Sequence, residues 1–128
     1  MSDAELLAGF SAGTLEPFHH QDHVRVAWLY LRREPLLPAA EQFTSGLRRF
    51  AAAKGKPGLY HETITLAFLF LIRERMLPEP ERFDEFAARN PDLLRWKPSA
   101  LDRYYREETL ASERARRGFL LPDRLASP

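Results

Sequence analysis

The segment from His19 to Arg33, HHQDHVRVAWLYLRR, is the stretch that decides the fold. Its apolar residues and two of its histidines recur at the i, i+3, i+4 and i+7 spacing of one buried helix face. The residues of this face are His20, His23, Val24, Ala27, Trp28 and Leu31. Pro35 follows the segment and ends the helix, because the residue before a proline disfavours helical backbone. The pattern therefore predicts a helix that carries two histidines on its core side.

Two more long helices are predicted downstream. The first of them begins near Pro38 and ends at Gly55, since proline suits a first helical turn and glycine a C-terminal stop. Its apolar stripe consists of Phe43, Leu47, Phe50 and Ala51. The next helix runs from about Tyr60 to about Met76. Because it is apolar almost all round between Leu66 and Ile72, we expect it to be the central and most buried helix.

Shorter segments surround these three helices. Ser2 and Glu5 form a capping-box pattern at the start of a short helix within residues 1–17. Further short helices are predicted over Glu81–Arg89, after Ser99 and over Thr109–Arg117, with an extended tail over residues 120–128. No segment has the pattern of a strand. The predicted fold is all-α: a compact single-domain bundle over residues 1–128, with three longer helices and shorter C-terminal ones.

Composition limits the classes of function. The chain has 128 residues, enough for one domain with its own apolar core. It has no cysteine, which excludes thiolate metal sites, disulfide frameworks and cysteine nucleophiles. There is no Gly-x-Ser-x-Gly motif and no glycine-rich phosphate loop.

Charge and hydropathy patterns limit the partners. The net charge is +1, with both signs interleaved along the chain, so nucleic-acid binding is not expected. No apolar run is long enough to cross a membrane. The first residues, Met-Ser-Asp-Ala-Glu, have no basic segment followed by an apolar one. We therefore expect a cytoplasmic protein without a membrane partner, and its oligomeric state remains open.

All four histidines lie at the starts of predicted helices. His19, His20 and His23 begin one helix, and His61 and Glu62 begin another. Short loops make consecutive helices antiparallel, so these two helix starts should lie at the same end of the bundle. The pattern predicts a groove there, with imidazoles facing one another and a carboxylate beside them.

Such a groove suits two kinds of chemistry. His20, His23 and His61 are candidate ligands of a divalent metal ion, Zn, Fe, Cu or Ni. Glu62 would then be the fourth ligand or a catalytic general base, and the Tyr60 hydroxyl would supply a catalytic hydrogen bond. A metal-free version uses the same residues as an acid–base pocket for a small-molecule substrate or ligand.

Two alternatives stay open at this point. The histidines could be structural, with their nitrogens satisfied by backbone groups or by Glu62. The protein could also be a non-catalytic protein-binding or regulatory module. Its binding surface would then be a large exposed apolar patch formed by Phe83, Phe86, Trp96 and the C-terminal tail.

Two motifs carry a resemblance to known sequences. FHHQDHVRVAW at residues 18–28 and YHETIT at residues 60–65 resemble a group of small all-helical bacterial proteins with no established activity. Tyr104-Tyr105 and the segment from Ala115 to Asp123 extend this resemblance over most of the chain. It implies a site around the histidine segments and implies no substrate.

Overall fold

The computed structural model describes residues 1–124, and every regular element in this range is helical. The α-helices are α1 (Asp3–Ala12), α2 (His20–Arg33), α3 (Leu36–Ala53), α4 (Glu62–Arg75), α5 (Phe83–Arg89), α6 (Pro91–Leu94), α7 (Glu107–Leu110) and α8 (Glu113–Arg117). Short 3-10 helices occupy Pro57–Leu59 and Ala100–Arg103. The prediction of an all-α single domain with three longer helices is confirmed.

The most buried helix is α2. It packs against α1, α3, α4 and α6, and each residue from Val26 to Leu31 is buried. α4 also packs against four elements, but the prediction that it would be the most buried helix was wrong, since Phe70 in its apolar run is 36% exposed.

Capping groups decide where the two histidine-bearing helices begin. The backbone N–H of His19 donates to the carboxylate of Asp22 over 3.0 Å, so α2 begins at His20 as predicted. At α4, Nδ1 of His61 accepts a 3.1 Å hydrogen bond from the backbone N–H of Ile64. His61 is therefore an N-cap residue, and α4 begins at Glu62, slightly later than the sequence pattern predicted.

The three long helices bring the expected ends together. His20 at the start of α2, His61 before α4 and Phe50 near the end of α3 all line one cavity. This is the arrangement of consecutive helices that reverse direction, and it confirms the predicted convergence of the two histidine segments.

The C-terminal third forms short helices packed onto this bundle. The helix predicted over Thr109–Arg117 is divided into α7 and α8, because Ser112 leaves the helix and caps α8 by accepting from the N–H of Ala115. Phe86 is fully buried and packs with Phe83 around the indole of Trp28. The exposed patch expected to include Phe86 is therefore not formed as predicted.

The segment after α8 is non-helical and is tied to α4. The fully buried hydroxyl of Thr63 donates to the carbonyl of Gly118 over 2.8 Å and accepts from the N–H of Leu120 over 3.1 Å. The Tyr105 hydroxyl donates to the carbonyl of Leu120. Of the predicted tail over 120–128, the last four residues lie outside the described range.

Within residues 1–124, every helix is too short or too polar to cross a lipid bilayer.

Candidate functional site

A cavity of about 730 Å³ opens at the end of the bundle where α2 and α4 begin. Its apolar lining consists of Phe18, Val24, Phe43, Leu47, Phe50, Ala51, Leu59, Ile64, Phe68, Ile72 and Trp96. Its polar lining consists of His19, His20, His23, Lys54, Tyr60, His61, Thr65 and Arg116. The volume is in the range of small-molecule sites, and the mostly apolar wall with a few polar groups is typical of them.

His23 is a partly buried imidazole of the cavity wall with both ring nitrogens available for hydrogen bonding. Its ring packs against Phe18 with 4.1 Å between ring centroids and a tilt of 31° between the ring planes. Within residues 1–124 no side chain or backbone group hydrogen-bonds to this ring, which lines the cavity. Burial, together with the neighbouring His20, lowers the pKa of His23 to about 4. The ring is therefore neutral at pH 7, with one donor and one acceptor available to a molecule in the cavity.

His20 has one ring nitrogen hydrogen-bonded within the protein and the other free. Its Nε2 lies 2.9 Å from the carbonyl oxygen of Leu93, and since a carbonyl only accepts, Nε2 carries the proton. The ring packs against Phe68 at 5.0 Å and Trp96 at 5.3 Å. Burial lowers its pKa, and the bond to Leu93 partly opposes that effect. In this neutral tautomer Nδ1 is an acceptor.

His61 has both ring nitrogens in use. Nδ1 accepts from the N–H of Ile64, and Nε2 donates to the carbonyl of Leu110 over 2.7 Å. The residue is 8% exposed, and burial lowers its pKa. This imidazole caps α4 and also joins that helix to α7.

Tyr60 and Glu62 are bonded to each other. The Tyr60 hydroxyl donates to Oε1 of Glu62, and Arg48 donates to the same oxygen over 3.1 Å. The guanidinium of Arg48 lies over the Tyr60 ring, 4.8 Å from its centroid. Burial, followed by the bond to Glu62, raises the pKa of Tyr60. Tyr60 lines the cavity, whereas Glu62 is not among the lining residues and supports Tyr60 from behind.

The predicted metal ligands lie around one cavity but do not form a ready ligand set. Within residues 1–124, no group of three or more His, Asp or Glu side chains is arranged to hold a metal ion. A metal ion bound to His61 would have to displace either its bond to Ile64 or its bond to Leu110. Metal binding by His20, His23 and His61 stays a prediction.

The lining residues that were not predicted as site residues include Trp96, Lys54 and Arg116. Trp96 is 53% exposed beside His20, Lys54 directly follows α3, and Arg116 lies in α8. Arg116 donates to the carbonyl of Gly58 over 2.7 Å and so holds the loop before α4. The sequence signal for Arg116 was a cluster of arginines on the last helix, a pattern that also fits an ordinary solvent-exposed face.

Comparisons with protein-family models, with curated proteins and with solved structures found no match to this chain.

Proposed function

We propose that this protein binds a small, largely apolar molecule in the cavity and contacts it through His23. The observation that carries the proposal is a partly buried imidazole that lines a mostly apolar pocket and has no hydrogen-bond partner within residues 1–124. Both ring nitrogens are open to the cavity, so the neutral ring can donate one hydrogen bond and accept another there. A ligand with a hydroxyl, amide or carbonyl group would complete the hydrogen bonding of His23.

The ionisation of the site favours hydrogen bonding over strong general-base catalysis. An imidazole with a pKa of about 4 takes up a proton readily only when negative charge develops beside it. Glu62 is engaged by Tyr60 and Arg48, so in this proposal it holds Tyr60 in place. Acid–base chemistry on a bound molecule would then use His23, with Nδ1 of His20 as a second acceptor.

Occupancy of the cavity is tested with a neutral fluorescent probe, N-phenyl-1-naphthylamine. Ala51 is buried and lines the cavity, so Ala51→Leu places three added carbons in the ligand space. Ala52→Leu makes the same chemical change at the neighbouring, exposed position of α3. We expect wild type and Ala52→Leu to bind the probe equally, and Ala51→Leu to bind it about tenfold more weakly.

Two results would count against this proposal. One is the absence of saturable probe binding to the wild type. The other is equal binding by Ala51→Leu and Ala52→Leu, which would place the probe elsewhere on the protein. Loss of binding in His23→Leu, with the fold retained by circular dichroism, would support the role of the imidazole.

The metal-binding form of the hypothesis has its own test. Protein purified without a histidine tag is analysed for bound metal by plasma mass spectrometry, alongside His20→Ala and His23→Ala. Near-stoichiometric metal that is lost in both variants would establish a metal site and redirect the search toward metal-dependent chemistry. Metal content that is unchanged in both variants would remove these two histidines as ligands.

A further inference from the structure

The charged side chains that line the cavity are all cationic. Lys54 and Arg116 contribute to the wall, and within residues 1–124 no aspartate or glutamate lines it. The starts of α2 and α4, each a 14-residue helix, point to the same region and add the partial positive charge of helix N-termini. The glutamates that pair with these two cations, Glu16 and Glu113, lie outside the lining, so the charge presented to the cavity is positive and favours an anion.

We infer that the ligand of this pocket is an organic anion with an apolar body, whose carboxylate or sulfonate group lies between Lys54 and Arg116. The inference rests on the proposed function, because it names the chemical class of the molecule bound there. The apolar body would pack among the aromatic side chains, and the anionic group would face the two cations.

Lys54 can pair with a ligand anion with little loss of protein stability. Its ammonium pairs with Glu16, whose side chain is 74% exposed, and lies over the ring of Phe50. Exposed ion pairs contribute little stability, so a ligand anion can share or replace this carboxylate. Because Phe50 lines the cavity, the ammonium lies beside the apolar wall.

Arg116 has N–H donors that are not used by bonds within the protein. One terminal nitrogen donates to the carbonyl of Gly58, and Nε lies 3.6 Å from the carboxylate of Glu113. A guanidinium has five N–H groups, and a planar fork of two suits a carboxylate or sulfonate. The bond to Gly58 also fixes the position of the guanidinium at the cavity wall.

The test uses two probes that share one apolar body. 8-Anilino-1-naphthalenesulfonate carries a sulfonate group, and N-phenyl-1-naphthylamine has the same rings without it. Lys54→Met removes one proposed contact, and Lys56→Met makes the same change at an exposed lysine that does not line the cavity. Dissociation constants of both probes are measured for each protein at low and high salt.

We expect Lys54→Met to weaken binding of the sulfonate probe at least about 3-fold and to leave the neutral probe unchanged. Lys56→Met should change neither dissociation constant. Salt should weaken binding of the sulfonate probe to the wild type more than to Lys54→Met, because the lost contact is ionic.

Arg116 supplies a second, independent arm. Arg116→Gln should lower affinity for the sulfonate probe selectively, Arg116→Lys should retain most of it, and Arg117→Gln at the exposed neighbour should have no effect. If Arg116→Gln fails to fold, the lysine variants decide the question alone.

The outcomes separate this inference from the proposed function. Equal effects of Lys54→Met on both probes, or no effect on either, would overturn the anion assignment while pocket binding stands. Failure of both probes to bind the wild type would overturn the anion assignment and the proposed function together.

Discussion

His23 links the cavity to the pH dependence of stability. Its pKa is lowered to about 4 in the folded protein from about 6.5 in the unfolded chain. Between these values the unfolded chain binds a proton that the folded protein does not, so stability is full above about pH 6.5 and falls as the pH drops toward 4. The difference corresponds to about 3 kcal/mol, because one pKa unit is about 1.4 kcal/mol.

We therefore expect His23→Leu to lose most of this pH-dependent part of the unfolding free energy. Urea denaturation of wild type and variant at about pH 7 and pH 4.5 measures this pH-dependent part. Because both proteins have the same carboxylates, the contribution of the carboxylates cancels when the two are compared. His20 and His61 also have lowered pKa values and contribute a remaining slope of the same sign. An unchanged slope in His23→Leu would show that His23 is not shielded from solvent in the folded state.

His61 should contribute mainly to stability. His61→Ala removes the cap of Ile64 and leaves the carbonyl of Leu110 without its donor. We expect a loss of about 2 kcal/mol in the free energy of unfolding, about 1 kcal/mol from each bond. His61→Asn, which can still cap the helix, should recover about half of that loss.

The matched control for this prediction is His19→Ala. His19 also precedes a helix, but its side chain is exposed, so the substitution should change stability by less than about 0.5 kcal/mol. Equal unfolding free energies for His61→Ala and wild type would argue against the bonds assigned to this imidazole.

At the scale of the helices, the sequence predicted the short-range caps that begin a helix. It did not predict the hydrogen-bond partners that lie far along the chain. The starts of α1 and α2 follow from short-range caps, Ser2 with Glu5 and Asp22 with His19. The groups that hold the histidines are carbonyls far along the chain, 73 residues away for His20 and 49 for His61. Since every residue has a backbone carbonyl, no sequence pattern marks the two that accept these bonds.

A close contact between α1 and α3 gives a prediction at the same scale. Gly46 lies in the buried interior of α3, where an added Cβ would come within 2.2 Å of the Phe10 ring. Glycine to alanine inside a helix usually stabilises by about 1 kcal/mol. Here we expect Gly46→Ala to destabilise by about 1–2 kcal/mol, because Phe10 is fully buried and its ring has little room to move.

The control and the rescue distinguish crowding from other causes. Gly58→Ala should have an effect within about 0.5 kcal/mol, since nothing lies within 4 Å of the added carbon. Combining Gly46→Ala with Phe10→Leu should cost less than the sum of the two single changes, because the smaller side chain relieves the clash. Simple additivity in urea denaturation would mean that the two residues do not compete for space.

For the whole molecule, the site depends on segments that are far apart in sequence. The convergence of His20, His23 and His61 could be predicted from short loops and helix direction alone. The contributions of Trp96 and Arg116 could not, because irregular segments and short helices of the C-terminal third carry no periodic pattern that fixes their docking. The predicted roles of Glu62 and Tyr60 depended on side-chain direction, which spacing along a first helical turn does not determine.

Because the cavity is shared among α2, α3, α4 and α8, a bound molecule should stabilise the whole fold. A ligand present at about 100 times its dissociation constant adds about 2.7 kcal/mol to the unfolding free energy. For a domain of this size that corresponds to a rise in Tm of about 10 °C. Thermal unfolding followed by circular dichroism, with the naphthylamine probe at saturation, measures the shift. Ala52→Leu should show the full rise and Ala51→Leu little of it, whereas an equal rise in both would mean that the probe stabilises the protein from outside the cavity.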